Sequence, residues 1–230
     1  MRIDTIKDVF FDLDHTLWDF DKNSKITFES IFARKHPSVN IDSFIEKYIP
    51  INQACWKLYQ YDKITHQQLR YDRLKLSFDA INFEISDTEI DLISQEYIDL
   101  LTENNHLFDG TFEILDYLRG KYKLHIITNG FAPVQFKKLN NSKLNAYFST
   151  ITNSEMAGVK KPNPMIFEFA LDLAQAQKKS SIMIGDSIEA DVLGALDAGI
   201  DAIYFNESKL AVANNNIKQI NHLLELKNYL

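Results

Sequence analysis

Asp12-Leu13-Asp14-His15-Thr16 follows the apolar run Val9-Phe10-Phe11, so two carboxylates and a hydroxyl fall where a buried strand opens into a loop. Along an extended chain residues i and i+2 share a face, which would let Asp12 and Asp14 address one reacting centre. Like charges that close repel unless a cation separates them or one carboxyl keeps its proton. Either solution is chemically useful. A divalent metal brings an anionic substrate to an anionic nucleophile, and a protonated second Asp is a general acid. Taken alone the pentapeptide also fits an ordinary polar strand end, so the other parts of a phosphoryl-transfer site must appear downstream.

Leu124-His125-Ile126-Ile127 closes on Thr128-Asn129-Gly130, which sets a hydroxyl, an amide and a residue without Cβ at a strand end. Thr128 can donate to a phosphate oxygen, Asn129 is a substrate-binding candidate beside it, and Gly130 would let backbone N–H groups approach an anion. Pro133 suits the first turn of a following helix, whose N-terminus favours negative charge. As a bare tripeptide, Thr-Asn-Gly is a turn. Next comes Gly158-Val159-Lys160-Lys161-Pro162-Asn163-Pro164, with Asn163 as N-cap and Pro164 as first residue of another helix. Lys160 reads as a solvated surface charge. Lys161, followed by a proline that restricts its backbone, is the candidate inward-pointing cation. Finally, Ser181-Ile182-Met183-Ile184-Gly185-Asp186-Ser187 ends an apolar strand in Gly-Asp, with Asp191 five residues on. Mg²⁺ takes about six oxygens and keeps several waters, so Asp186 facing Asp12 is enough protein to hold it. Asp191, on the next helix, would orient the site from behind, while Glu189 would face solvent.

In order and spacing these four segments resemble the haloacid dehalogenase-like hydrolase superfamily, whose signature is Asp-x-Asp-x-Thr, then Thr or Ser, then Lys, then Gly-Asp with a further acid. The resemblance spans roughly residues 5–18 and 105–206. It implies that Asp12 is a nucleophile forming an aspartyl-phosphate, which divides one hard displacement into two easier ones. It implies further that Asp14 protonates the leaving oxygen and then activates water. Mg²⁺ would be held by the Asp12 carboxylate, the Asp14 backbone carbonyl and Asp186, and the phosphoryl oxygens by Thr128 and Lys161. Some members of the superfamily cleave carbon–halogen bonds through an aspartyl ester. That reaction has no leaving oxygen to protonate and needs no Mg²⁺, so Asp14 and Asp186 favour phosphate chemistry. A phosphomutase would use the same residues with a different second acceptor.

Within the superfamily, the stretch Phe10-Phe11-Asp12-Leu13-Asp14-His15-Thr16-Leu17-Trp18-Asp19-Phe20-Asp21 and the segment Thr128-Asn129-Gly130-Phe131 look closest to the pyrimidine 5′-nucleotidases. This narrower resemblance implies a Mg²⁺-dependent hydrolase of nucleoside monophosphates. Phosphatases of sugar phosphates or phosphoglycolate, and a non-catalytic binding protein on the same fold, are the alternatives. Phe20 and Phe131 could flank a planar base, for which stacking is worth about 1–3 kcal/mol. Trp18, Trp56, Tyr59 and Tyr61 could line the same side, although aromatic residues on bundle helices usually pack inward.

The elements that must position these residues follow from periodicity. Thr111–Arg119, Pro164–Ala174 and Ile188–Ala198 read as helices, alternating with strands over Lys123–Thr128, Ser181–Gly185 and Ala202–Phe205. That alternation predicts an α/β fold with a Rossmann-like parallel sheet, whose ligands bind beyond the carboxyl ends of the strands. Between the first two motifs lie about ninety residues of helical character: Phe28, Ile31 and Phe32, then Cys55, Leu58 and Tyr59, then Ile90, Ile93, Tyr97 and Leu101. They predict an all-helical cap over 19–104, inserted into a core made of 1–18 and 105–230. Four or five helices are expected, joined near Pro37 and Pro50 and at Ser86-Asp87, a plausible N-cap. In the resembled superfamily such an insertion opens and closes over the active site.

With 45% hydrophobic residues, the 230-residue chain can bury one substantial core and a smaller companion. The net charge of −7 disfavours nucleic acid polymers as partners but leaves a small phosphorylated substrate open, including a mononucleotide. No apolar run approaches the ~20 residues of a membrane span and no basic n-region opens the chain, so no membrane partner and a cytoplasmic location are expected. The single Cys55 suits a reducing compartment and a packed helix position. The expected assembly is a monomer or small homo-oligomer. Asn140-Asn141-Ser142 and Asn206-Glu207-Ser208 match glycosylation acceptors by chance, and Asn214-Asn215-Asn216 reads as a polar loop.

Overall fold

Val9, Phe10 and Phe11 are fully buried, as a strand covered on both faces requires. They form β1 (Asp8–Phe11), which lies inside a sheet with β2 (Lys123–Thr128), β3 (Thr150–Asn153), β4 (Ser181–Gly185), β5 (Asp201–Phe205) and β6 (Gln219–Ile220). The computed structural model describes residues 6–211 and 216–230; Asn214 and Asn215 of the asparagine tract lie outside the described residues. The strand order is β3-β2-β1-β4-β5-β6 and every pairing is parallel. Phe11 is in register with Ile126 of β2 and Ile184 of β4, so Asp12, Thr128 and Asp186 all fall at the carboxyl ends of three adjacent strands. β3 and β6 were not expected from the sequence.

Two compact units make up the chain. One runs to Asp19 and resumes at His106; the other is Phe20–Asn105. Flanking the sheet in the first unit are α5 (Thr111–Arg119), α6 (Ala132–Asn141), α7 (Ser154–Ala157), α8 (Pro164–Ala174) and α9 (Gly194–Asp197). Asn163 caps α8 by accepting the Met165 N–H at 3.0 Å, and Pro164 is its first residue, as expected. Ile166, Phe167 and Ala170 of α8 pack with Phe10, Ile127 and Met183 of the sheet in one buried cluster. The helix predicted over Ile188–Ala198 begins instead as a wide π-type turn, Ile188–Leu193, in which the Val192 N–H reaches the Ser187 carbonyl at 3.1 Å.

The second unit contains α1 (Phe20–Lys35), α2 (Ile41–Gln60), α3 (His66–Ala80) and α4 (Asp87–Leu101). Its centre is aromatic: the Phe28 ring lies 4.5 Å from Tyr97, 4.8 Å from Tyr48 and 5.1 Å from Phe44. Ser86 and Glu89 close a reciprocal cap at the start of α4. Pro50, expected at a joint, lies inside α2. A mid-helix proline costs about 3 kcal/mol, but Phe44, Ile45 and Tyr48 before it and Asn52 and Cys55 after it share the buried face, while Pro50 itself is exposed. Burial on both sides outweighs the break. Leu58, expected in that stripe, is exposed. Among the described residues no helix is long and apolar enough to cross a membrane.

Candidate active site

Asp12 extends β1 by one residue, its N–H donating to the Ile184 carbonyl at 2.9 Å. The chain then leaves the strand. The Leu13 carbonyl accepts from the Leu17 and Trp18 N–H groups at 3.0 and 2.9 Å, and His15 adopts φ 60°. Asp14 stands in an isolated parallel bridge with Trp18, and its side chain meets α6: one carboxylate oxygen accepts from Lys138 Nζ at 2.5 Å and the other from Gln135 Nε2 at 2.7 Å. Neither partner was singled out from the sequence. In the sequence they are only two polar residues at i and i+3 of α6; their burial is seen in the structure alone.

Lys161 is buried, and its ammonium makes three bonds, to Asp12 Oδ1 and Asp191 Oδ1 at 2.6 Å each and to the Ile127 carbonyl at 2.8 Å. Asp191 ties its second oxygen to the Ser187 N–H at 3.0 Å. Thr16 Oγ1 donates to Asp186 Oδ1 at 3.3 Å. Thr128 is buried, and its Oγ1 accepts the Gly130 N–H at 3.0 Å, which leaves its own proton to donate. Asn129, read from the sequence as a substrate-binding residue, turns its side-chain amide to the backbone of Lys161, accepting its N–H at 2.8 Å and donating to its carbonyl at 3.0 Å. Its visible task is to hold Lys161.

The electrostatics are those of crowded acids. Burial, with the negative charges of Asp191 and Asp186, drives the Asp12 carboxyl well above its ordinary range despite the opposing pull of Lys161. Burial and then Asp191 push Asp186 up to about 8. For Lys161 burial works against the charge, but Asp12 and Asp191 outweigh it and raise its affinity for the proton. Carboxylate oxygens of Asp12, Asp186 and Asp191 lie within 4.8 Å of one another. This cluster of hard oxygen donors has one buried ammonium among three acids, so it fits a further cation of the Mg²⁺ type.

Two outcomes follow. Gly185 faces Asp191 so closely that a Cβ would lie 2.3 Å from its Cγ. Gly185→Ala must displace Asp191 and should cost about 1–3 kcal/mol of stability, measurable by thermal denaturation; an unchanged melting temperature would contradict the close approach. The second outcome concerns pH. An unfolded Asp loses its proton near 3.8, whereas folded Asp186 keeps it to about 8, so the native state binds more protons across that window. Stability without metal must then fall as pH rises from about 4 through about 8. A divalent cation such as Mg²⁺, if held by these carboxylates, would compete with those protons, so its stabilising increment should be larger at pH 8 than at pH 6. A flat increment in paired melts with Mg²⁺ and with EDTA would contradict this.

Residues 9–205 match the family model for the haloacid dehalogenase-like hydrolases. The chain belongs to this family. It is 32% identical over 206 residues to the pyrimidine 5′-nucleotidase PynA of Streptococcus pneumoniae, covering 89% of this chain and 85% of that protein. It is also 32% identical over 199 residues to the pyrimidine 5′-nucleotidase YjjG of Escherichia coli, covering 86% and 85%. Among solved structures, the HAD-hydrolase YfnB of Bacillus subtilis, bound to magnesium, superimposes with a TM-score of 0.86 at 27% identity, over 99% of this chain and 98% of that one. In this haloacid dehalogenase-like chain, Asp12, Lys161, Asp186 and Asp191 converge, with Thr128 at the adjoining strand end; the Asp14 carboxylate bonds Lys138 and Gln135, and the Asn129 amide bonds the backbone of Lys161. Of the aromatic residues, Trp18 is fully buried in the sheet-bearing unit, with the Lys138 ammonium 4.2 Å from its ring centroid. Phe20 is buried at the start of α1.

Proposed function

We propose that this phosphatase-type member of the family is a Mg²⁺-dependent 5′-nucleotidase, acting on nucleoside monophosphates through an aspartyl-phosphate on Asp12. The observation that carries the proposal is the buried Asp12, paired with Lys161 and crowded by Asp186 and Asp191 at the carboxyl ends of parallel strands. The likeness to two pyrimidine 5′-nucleotidases over more than four-fifths of the chain supports the substrate class. Asp12 and Asp186, with the Asp14 carbonyl, are the proposed Mg²⁺ ligands. When bound, Mg²⁺ supplies positive charge that reconciles an anionic nucleophile with an anionic substrate and balances charge on the transferring group.

The residues then divide the work. An Asp12 oxygen attacks phosphorus as the ester P–O bond breaks, and Asp14 gives a proton to the leaving oxygen. Water attacks the aspartyl-phosphate, Asp14 takes its proton, and phosphate leaves with the Asp12 carboxylate restored. The Thr128 hydroxyl donates to a phosphoryl oxygen. Lys161 neutralises charge around the nucleophile, held in place by Asn129 and Asp191. Residues 19–104 are proposed as the cap that selects the substrate, and 1–18 with 105–230 as the catalytic core. A small intracellular metabolite as substrate goes with a cytoplasmic setting.

The test is phosphate release, with and without Mg²⁺, from pyrimidine and purine 5′-monophosphates, sugar phosphates and phosphoglycolate. Metal-dependent cleavage led by pyrimidine monophosphates is expected. Faster cleavage of sugar phosphates or phosphoglycolate would keep the hydrolase and overturn the nucleotidase.

A further inference from the structure

Asp14 lies beyond β1 in an isolated bridge with Trp18, and a carboxylate there has several staggered rotamers open to it. Its direction is set from α6. Lys138 Nζ and Gln135 Nε2 take one carboxylate oxygen each, at 2.5 and 2.7 Å. Lys138 is 1% exposed. A buried ammonium is costly unless paired, and this one is committed to Asp14 and to the face of Trp18, 4.2 Å from the ring centroid. Gln135 is buried as well and occupies the space a Cβ on Gly130 would need, 1.7 Å from its Nε2. The Thr128-Asn129-Gly130 turn and the Asp14 turn are thus joined through one amide.

We propose that Lys138 and Gln135 are the positioning residues of proton transfer: together they aim the Asp14 carboxylate so that its oxygen meets the leaving oxygen of the substrate. The proposal rests on the hydrolase reading above. In the first step Asp14, having taken a proton from solvent, gives it to the leaving oxygen as the Asp12–phosphorus bond forms and the ester P–O bond breaks. In the second, water supplies the oxygen that displaces Asp12, and its proton passes to Asp14. Lys138 and Gln135 gain and lose nothing in either step. Their contribution is the orientation to which Asp14 returns.

Leaving-group dependence separates this role from a merely structural pin. An alkoxide leaving group needs the Asp14 proton, whereas p-nitrophenolate departs without one. Lys138→Met should lower kcat/KM, which reports the steps up to departure of the leaving group and not the later attack of water, about 10- to 100-fold on the best alkyl phosphomonoester, the range found when partners that orient a metal's ligands are removed. Its loss on p-nitrophenyl phosphate should be at least about tenfold smaller. In an Asp14→Asn background, Lys138→Met should change kcat/KM by no more than about twofold, because it acts through the group already removed. Gln135→Leu carries the same comparisons, so a poorly folded Lys138 variant leaves the proposal testable. Equal losses on both substrates, no loss, a gain, or a further loss beyond Asp14→Asn would overturn the positioning role while the hydrolase reading stands. No wild-type turnover of any phosphomonoester would remove the hydrolase reading, and the positioning role with it.

Discussion

Asp12→Asn is expected to lower turnover by on the order of 10⁶-fold, the scale seen when a covalent nucleophile is removed from an otherwise intact site. The substitution keeps the side chain's shape and its place after β1, where the backbone N–H is bonded to Ile184. What it removes is the anionic oxygen proposed to bond to phosphorus. Stability should move little or rise. Asp12 is one of three clustered carboxylates, and its carboxyl is already driven upward by burial and by Asp191 and Asp186, so a neutral amide relieves repulsion. Lys161 keeps Asp191 and the Ile127 carbonyl. A wild-type phosphoenzyme trapped by acid quenching and cleaved by hydroxylamine, and absent from the variant, would identify the intermediate. Undiminished Mg²⁺-dependent turnover in Asp12→Asn would sink the aspartyl-phosphate proposal.

Most of the sheet was legible because its strands are short apolar runs ended by chemistry. Val9-Phe10-Phe11 stops at Asp12, Leu124 to Ile127 at Thr128, and Ile182 to Ile184 at Gly185-Asp186, and each run is buried. β3 escaped notice because Thr150-Ile151-Thr152-Asn153 holds a single aliphatic residue, and β6 because it is only two residues long. Pro50 misled because a local penalty was weighed without the burial on either side of it. At the site, residue types and spacing pointed to Asp12, Thr128, Lys161, Asp186 and Asp191, since each ends or follows a readable element. The direction of Asp14 was not readable, because it depends on where β1 stops. Gln135 and Lys138 could not be found until that direction was known. The wide turn at Ile188–Leu193, which sets Asp191 over Gly185, is likewise a tertiary outcome with no periodic signature of its own.

Lys161→Met should be the most destabilising change at the site. All three of its bonds are to buried or strand-end acceptors, and removing one partner from a buried ion pair costs about 3–5 kcal/mol because the remaining charge is stranded. For a domain of this size each kcal/mol lowers the melting temperature by about 2–4 °C. The loss must depend on pH. Without Lys161, nothing of like strength opposes the burial and the neighbouring acids that already drive the Asp12 carboxyl upward, so the deficit should shrink at pH 5, where protons are plentiful, and be largest at pH 8. Mg²⁺ should return part of the stability at pH 8, since a second cation can answer the same carboxylates. It should not return activity: an ammonium fixed beside the nucleophile cannot be replaced by one that is not there to meet the developing charge, and losing such a donor costs about 10²–10³ in kcat. Thermal melts of both proteins at the two pH values, with EDTA and with Mg²⁺, read all three effects. A deficit equal at pH 5 and pH 8 would mean that Lys161 is held by packing, and its proposed role in neutralising the nucleophile's surroundings would fall.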